Sequence, residues 1–598
     1  MVRDWNNAPR STVRRAVSPV PRVLALSAIV ASVLVGACGG LSSRELADRV
    51  LREESRDDLL HAHHQGPGVV AADSGPNRYV PRLLEAFDGE RAMETVRFAD
   101  GYYRAPGNDG YEAVIDFVEA RLREAGYGST EGFEVGILES PLTARGPQRD
   151  QRLPAPAWTP RSARIVLHRE GDPDLVLHEF AAPGDVDRVM LPINAPAADV
   201  RGPLAFSLDE LGPGEVLVTD APPRLTVLLR AQAKGAVAVL SSYLEHYNVD
   251  PSGSERHLDA VQFRTLPAGT SIPVAMISAR SHEALVKTHA ADPTVTVSFQ
   301  AVVDFDERPL RTLWARVVGR DRPDQAVAIS SHVQEPGACD NASGIAGLLE
   351  SAVGLERLIR TGLLDAPSRS IVFLWGDEFR QTQAWIDQGG LEVVAGLSSD
   401  MTGENQAETG AIALLERMPD PGAVRALEPD RHTLWGETIV DEHDLTPNGL
   451  AVIARCALLD VATVEPDWVT ADHPYEGGSD HDVFIAHGVP AALFWHFTDF
   501  TYHTSMDRLE FVDPNEMRRT GTALLATALA VADPRPADLD RYLRSLNAEQ
   551  NVRVKAAKEA GDDDLAEAWV DWCYGARQWL REECLRIPVS ETAGTSGS

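Results

Sequence analysis

The sequence predicts an α/β fold, a mixed and mostly parallel sheet covered on both faces, and three observations carry that expectation. Short apolar runs such as AVAIS (Ala326–Ser330) and IVFLW (Ile371–Trp375) alternate with stretches of helical spacing, the pattern of strands sandwiched between helices. His332, Asp340, Glu378, Asp400 and His503 each fall just past such a run or at a turn between elements, where open α/β sheets gather their functional groups. With 598 residues, 44% of them hydrophobic, the chain has material for two to four domains with real cores.

The elements follow in order. Arg14, Arg15 and Arg22 precede the apolar stretch Val23–Val35 and the small residues Gly36 and Ala37. A charged start and a short apolar run read as a secretory signal, too short to span a bilayer comfortably. LVGAC resembles a bacterial lipobox, which implies cleavage before Cys38, lipidation of its sulfur, and an exported protein anchored at the cell envelope, on the periplasmic or outer-membrane side. Gly39 is not a retention-type Asp, which favours the outer membrane. Leu41–Asp73 reads as a charged, helical spacer, and its HAHHQ (His61–Gln65) lacks nearby groups to complete a metal site. Tyr111–Gly126 has apolar residues at helical spacing and a glycine stop.

A composition shift follows at LPAPAWTP (Leu153–Pro160). Then come the strand pattern Gly214–Asp220, a helical pattern, and two further strands over Lys234–Ser242 and Ser271–Ser278. In the core, Ile345, Leu348, Leu349, Ala352 and Leu355 place one apolar face on the helix that follows NASG, with Asp340 or Asn341 as its N-cap. The last sixty or so residues read as charged helices ending in a disordered tail, ETAGTSGS.

Charge and cysteine usage narrow the possibilities. Asp and Glu number 89 against 56 Lys and Arg, a net charge of −33, which argues against nucleic-acid or anionic-lipid binding. Five cysteines are few for an exported chain of this size. Cys573 and Cys584, eleven positions apart, lie about 16 Å apart on one continuous helix and cannot then be joined.

Two imidazoles and three carboxylates form a nitrogen and oxygen donor set suited to zinc, with cobalt or manganese as substitutes. With one carboxylate bridging, five side chains can hold two ions and leave room for water and substrate, the arrangement of metal-assisted hydrolysis. The ordered set HVQEPGACDNASG, FLWGDE, SSDMTG, GGSDHDVFIAHGVPA and TYHTSMD resembles the di-zinc exopeptidases, the twenty-eighth metallopeptidase family, which includes bacterial zinc aminopeptidases and glutamate carboxypeptidase. The resemblance covers roughly residues 312–535, and more weakly Tyr111–Gly126.

The resemblance implies a three-layer α/β/α zinc-exopeptidase fold. It implies that Asp340 bridges two zinc ions, that His332 and Asp400 complete one, and that Glu378 and His503 complete the other. Asp377 takes the place of the general base, one methylene shorter than the usual Glu. Gln334 stands where an Asp usually orients the first imidazole, and its amide oxygen is available for that bond. A cis Asp340–Asn341 bond is implied as well.

Ser479, Asp480 and His481 are implied to lie near substrate, a local cap being the other reading of this turn. Tyr502 either assists the oxyanion or forms an apolar wall. The strand and helix order of the insertion resembles a protease-associated domain. The expected partition is 1–37 signal, 38–75 linker, 76–150 first part of the peptidase domain, 151–305 insertion, 306–536 catalytic domain and 537–598 helical tail.

The activity implied is exopeptidase hydrolysis of peptide substrates, aminopeptidase first and carboxypeptidase second. Glu335 and Glu404 are the candidates to hold a substrate amine, and the sequence reveals no arginine cluster for a substrate carboxylate. Cyclisation of N-terminal glutamine by a single zinc, and a metal-free binding relative, are the alternatives from other classes.

Overall fold

A computed structural model describes residues 74–146, 151–436 and 438–585. The lipobox with Cys38, the histidine cluster at His61–Gln65 and the tail after Leu585 lie outside the described residues.

Strand β1 (Phe133–Ser140) leads into a small ribbon, β2 (Thr143–Arg145) and β3 (Arg152–Pro154). Seven further strands form a sheet of their own: β4 (Ala157–His168), β5 (Leu175–Phe180), β6 (Ala198–Ala205), β7 (Val216–Thr219), β8 (Ala238–Ser241), β9 (Val274–Met276) and β10 (Thr296–Asp306). The chain then returns alongside β1 as β11 (Leu310–Val317). It continues through β12 (Arg322–His332), β13 (Arg369–Gly376), β14 (Glu392–Ser399), β15 (Ile412–Glu416), β16 (Thr470–His473) and β17 (Ala491–Phe497).

The main sheet has the order β1-β11-β13-β12-β14-β17-β15-β16. Its centre, β13-β12-β14-β17, is parallel, while β1, β11 and β15 join antiparallel. The cause is legible in the strands themselves. All eight residues of β13 are buried, as expected of a strand covered on both faces. Alternation along β12 and β13 divides these residues between two cores. Val327, Ile329, Ile371 and Phe373 face the helices Ala342–Arg360 and Pro514–Ala532, and Ala326, Ala328, Val372 and Leu374 pack with Phe484 and Trp385 on the opposite side. The result is three layers.

The helix Ala342–Arg360 buries the anticipated Ile345, Leu348, Leu349, Ala352 and Leu355. Of the two residues expected to cap it, Asn341 does so, accepting from Gly344 N at 3.1 Å. The Asp340–Asn341 bond is cis. Helix Asp109–Ala125 is capped by Asn108 and closed by Gly126 at φ 119°, a left-handed turn that glycine adopts freely.

The second sheet, ordered β5-β4-β10-β6-β7-β8-β9, is parallel from β6 to β9 and antiparallel from β5 to β6. The sequence patterns over Gly214–Asp220, Lys234–Ser242 and Ser271–Ser278 correspond to β7, β8 and β9. The long β4–β10 pair went unread because its exposed face interrupts any apolar run. Helices Leu539–Glu559 and Asp563–Leu585 pack on each other and on the main core through Trp569, Trp572 and Leu580. Cys573 and Cys584 sit on one unbroken helix as free, buried thiols.

Candidate metal centre

Parallel strands bring the candidate residues to one edge of the main sheet. His332 closes β12 opposite Gly376 of β13, so Asp377 and Glu378 follow at the same level. Asp400 follows β14, and its N–H donates to Phe494 O of β17 at 3.1 Å. His503 lies on the loop after β17, in a left-handed backbone conformation at φ 55°.

Asp340 stands at the centre. His332 Nε2 is 3.6 Å from Asp340 Oδ1, and His503 Nε2 is 2.9 Å from Asp340 Oδ2. The two imidazoles therefore address opposite oxygens of one carboxylate. Asp400 Oδ1 is 3.0 Å from His332 Nε2. The nearest carboxylate on the His503 side is Glu335, whose Oε2 is 2.6 Å from His503 Nε2. Two groups of donor atoms result, His332 with Asp340 and Asp400, and Glu335 with Asp340 and His503, each within 4.8 Å.

Glu378, the expected partner of His503, belongs to neither group. Gln334 holds it, accepting from Glu378 N at 2.7 Å and donating to Glu378 Oε2 at 3.4 Å. Glu378 Oε1 is 4.0 Å from His332 Nε2. This corrects the expected role of the Gln334 side chain. The imidazole of His332 instead has its Nδ1 2.9 Å from the backbone oxygen of Gln334. With Nδ1 engaged there, Nε2 is the nitrogen that faces the carboxylates.

Neighbouring groups fix this geometry. Arg104 donates to the carbonyls of Val333 and Gly337 at 2.9 and 2.6 Å, and its own carbonyl accepts from Glu335 N at 2.9 Å. Glu335 itself sits at φ 84°, uncommon for a side chain with a Cβ. Asp507 accepts from Cys339 N and Asp340 N at 2.6 and 2.9 Å. TYHTSMD contained this residue, but no periodicity marks an anchor of that kind. The second sheet's domain secures His503, whose carbonyl accepts from Phe263 N at 2.6 Å and Gln262 Nε2 at 2.8 Å.

The electrostatics are those of a concentrated negative site. Burial opposes charge on His332, and Asp400, Glu378 and Asp340 outweigh it, so its pKa stands well above the ordinary value. The same holds for His503 beside Glu335 and Asp340. Burial and then Glu335 push Asp340 well up. Burial pushes Glu378 well up too, although His332 opposes it. Asp377 is buried and ion-paired with Arg380, which also donates to Thr143 O.

The expected substrate contacts are redistributed. Ser479 Oγ donates to Asp400 Oδ2 at 3.0 Å. Asp480 is wholly buried and accepts from Phe379 N, Gln381 and Thr382. It braces the turn carrying Asp377 and Glu378, and so is corrected from substrate contact to internal support. His481 is likewise buried, 2.8 Å from Glu416 Oε1. The Tyr502 ring stacks on His503 with centroids 3.9 Å apart and packs edge-on against Phe497. Glu404, a candidate for the substrate amine, is buried 3.2 Å from His496 Nδ1 and is not part of the cleft lining. Glu335 does line that cleft of about 350 Å³, with Gln334, Asp377 and Glu378.

Residues 312–410 and 437–528, the segments that build this site, match Peptidase family M28. These two segments carry the pattern of peptidase family M28. An aminopeptidase of Pseudomonas aeruginosa is 24% identical over 310 residues, 50% of this chain and 52% of that protein. The chain thus spans about half the length of the curated relatives it matches. A peptidase M28 precursor from Shewanella amazonensis superposes with a TM-score of 0.51 at 17% identity, over 77% of this chain and 97% of that one. At that identity the likeness speaks to the M28 fold. A zinc aminopeptidase from Bacillus subtilis aligns over 75% of this chain and 96% of its own, with a TM-score of 0.47 and 16% identity.

The donor set fits a pair of divalent cations. Asp340 offers one oxygen to each imidazole, and both imidazoles present Nε2. So many buried carboxylates call for neutralising charge.

Proposed function

We propose that this chain is a metal-dependent exopeptidase that removes residues from peptide N-termini. The observation that carries the reading is Asp340 between two imidazoles, each with a further carboxylate beside it. His332, Asp340 and Asp400 would hold one zinc ion, and Asp340, His503 and Glu335 or Glu378 the second. Bound zinc supplies a Lewis acid and lowers the pKa of water.

The chain's own groups do the rest. Arg380 engages Asp377 Oδ2, which leaves Oδ1 to take a proton from the attacking water and return it to the leaving amine. Gln334 steadies Glu378, and Ser479 steadies Asp400. Trp158, Ile193 and Phe263 give the cleft an apolar wall, suited to peptide side chains.

The test loads the chain with zinc and exposes it to a mixed peptide pool read by mass spectrometry, with a chelated control. Metal-dependent shortening from N-termini is expected. Shortening from C-termini would transfer the chain to the carboxypeptidase branch, and an untouched pool with metal bound would overturn the reading.

We further read residues 1–37 as a lipoprotein signal, cleaved before Cys38, whose lipidated sulfur anchors the protein to the cell envelope. Replacing Cys38 by alanine is then expected to release it from the membrane fraction. Among the described residues no helix is long and apolar enough to cross a membrane.

A further inference from the structure

The cleft beside the acidic cluster carries a concentration of the opposite charge. Arg145 and Arg152 are register partners at the turn end of the β2–β3 ribbon. Both line the cleft that holds Glu335, Asp377 and Glu378, as does Arg380. Arg380 is neutralised by Asp377 and grips Thr143 O, fastening the ribbon to the site. The other two have no such partner: no carboxylate among the described residues pairs with Arg145 or Arg152.

Like charges directly opposed on a ribbon weaken its pairing. That cost stands in a chain where acidic residues outnumber basic ones by 89 to 56. Burial and the nearness of Arg380 lower the pKa of Arg152, with Asp377 opposing them and Arg145 adding to them. The cleft is therefore polarised, with acids toward the sheet edge and guanidinium groups on the ribbon.

We propose that Arg145 and Arg152 form a subsite for a carboxylate of the peptide substrate. A peptide enters with its amine toward the acids and its carboxylate toward the ribbon, so anionic peptides are favoured over neutral ones. The carboxylate comes from an acidic side chain or from the free C-terminus of a short peptide. This specificity rests on the exopeptidase reading, and its test keeps the two apart.

The zinc-loaded full chain and its R145Q/R152Q double variant are compared on four peptides: Ala-Gln-amide, Ala-Glu-amide, Ala-Ala-amide and Ala-Ala with a free terminus. Charged hydrogen bonds predict a preference of about ten- to a hundredfold for a carboxylate-bearing peptide, expressed mainly in KM. In the double variant that preference collapses while the rate on Ala-Gln-amide is unchanged. A preference for Ala-Glu-amide identifies the side chain as the source, and one for free Ala-Ala identifies the terminus. Equal kcat/KM across the four peptides, or a preference that survives in the double variant, overturns the subsite.

Calorimetry with the chelator-treated chain and the same peptides reads binding without turnover. Arginine-dependent binding of a carboxylate-bearing peptide, with no hydrolysis by the loaded enzyme, would uphold the subsite and overturn the exopeptidase reading. Cleavage without preference would do the reverse.

Discussion

Two buried charge clusters in the same domain are built on opposite principles. Around Arg417 every strong charge has a partner within the protein. Its guanidinium reaches Asp420, Asp430 and Asp472 at 2.7, 2.8 and 2.9 Å, while Arg553 holds Asp430, and Arg455 holds Asp472 and Glu549. Three cations face four carboxylates, and the network ties β16 to the helix Leu539–Glu559. Around Asp340, by contrast, Glu335, Glu378 and Asp400 crowd two imidazoles with no guanidinium among them. The first cluster is complete without a ligand and the second is not. A buried charge network thus signals function when its carboxylates lack guanidinium partners within the protein.

Cutting the guanidinium-paired cluster is expected to have the largest effect. Arg417→Met strands Asp420 and takes one of two guanidinium partners from Asp430 and Asp472, and should lower unfolding free energy by about 3–5 kcal/mol, measured by urea denaturation, with metal content per folded molecule unchanged. An unchanged midpoint would mean that the network contributes no stability.

In the cluster without guanidinium partners, Asp340→Asn removes the charge shared by both imidazoles. Activity should fall about a thousandfold, equivalent to about 4 kcal/mol, and bound zinc measured by elemental analysis should drop. Full zinc content in this variant would break the contrast.

Glu350 is an intermediate case, a carboxylate with a single partner, Arg121 at 3.1 Å. Burial raises its pKa from 4.5 to about 7. The folded chain holds this proton more tightly than the unfolded one. The stability it confers is therefore full below pH 4.5 and is lost as pH rises through 7. Glu350→Gln should match wild type at pH 4.5 and exceed it by about 2–3 kcal/mol at pH 8. A difference that does not change with pH would sink the assignment.

The smallest effect belongs to Ser479, which acts through Asp400. Ser479→Ala should weaken zinc affinity by about ten- to a hundredfold, read by competition with a chelator, and leave thermal stability nearly unchanged.

Much of this was legible in the sequence, for identifiable reasons. Period-two and helical patterns place β12, β13 and the helix Ala342–Arg360, because a three-layer fold imposes those periods on every buried face. The convergence of His332, Asp340, Asp400 and His503 was legible because strand ends in such a fold converge, whereas Glu378 falls outside both donor groups. Glu335 beside His503 was not, since it depends on a left-handed backbone at one residue. Nor was the Arg145–Arg152 pair, which only strand register brings together. Asp480 misled because a polar residue on a glycine-rich turn suggests exposure, whereas its three acceptor bonds lie inside the protein.

The pairing of β1 with β11 bears on how the chain can be trimmed. Ser140 and Leu310 are register partners, so residues 141–309 leave and rejoin the sheet at adjacent positions, like an overgrown hairpin loop. The module is topologically detachable: a turn of a few residues could close the gap without disturbing a strand. It is not mechanically dispensable, because Gln262 and Phe263 hold the carbonyl of His503. The insertion on this edge strand is thus a strut of the site, and a trimmed chain would need a new support for that loop.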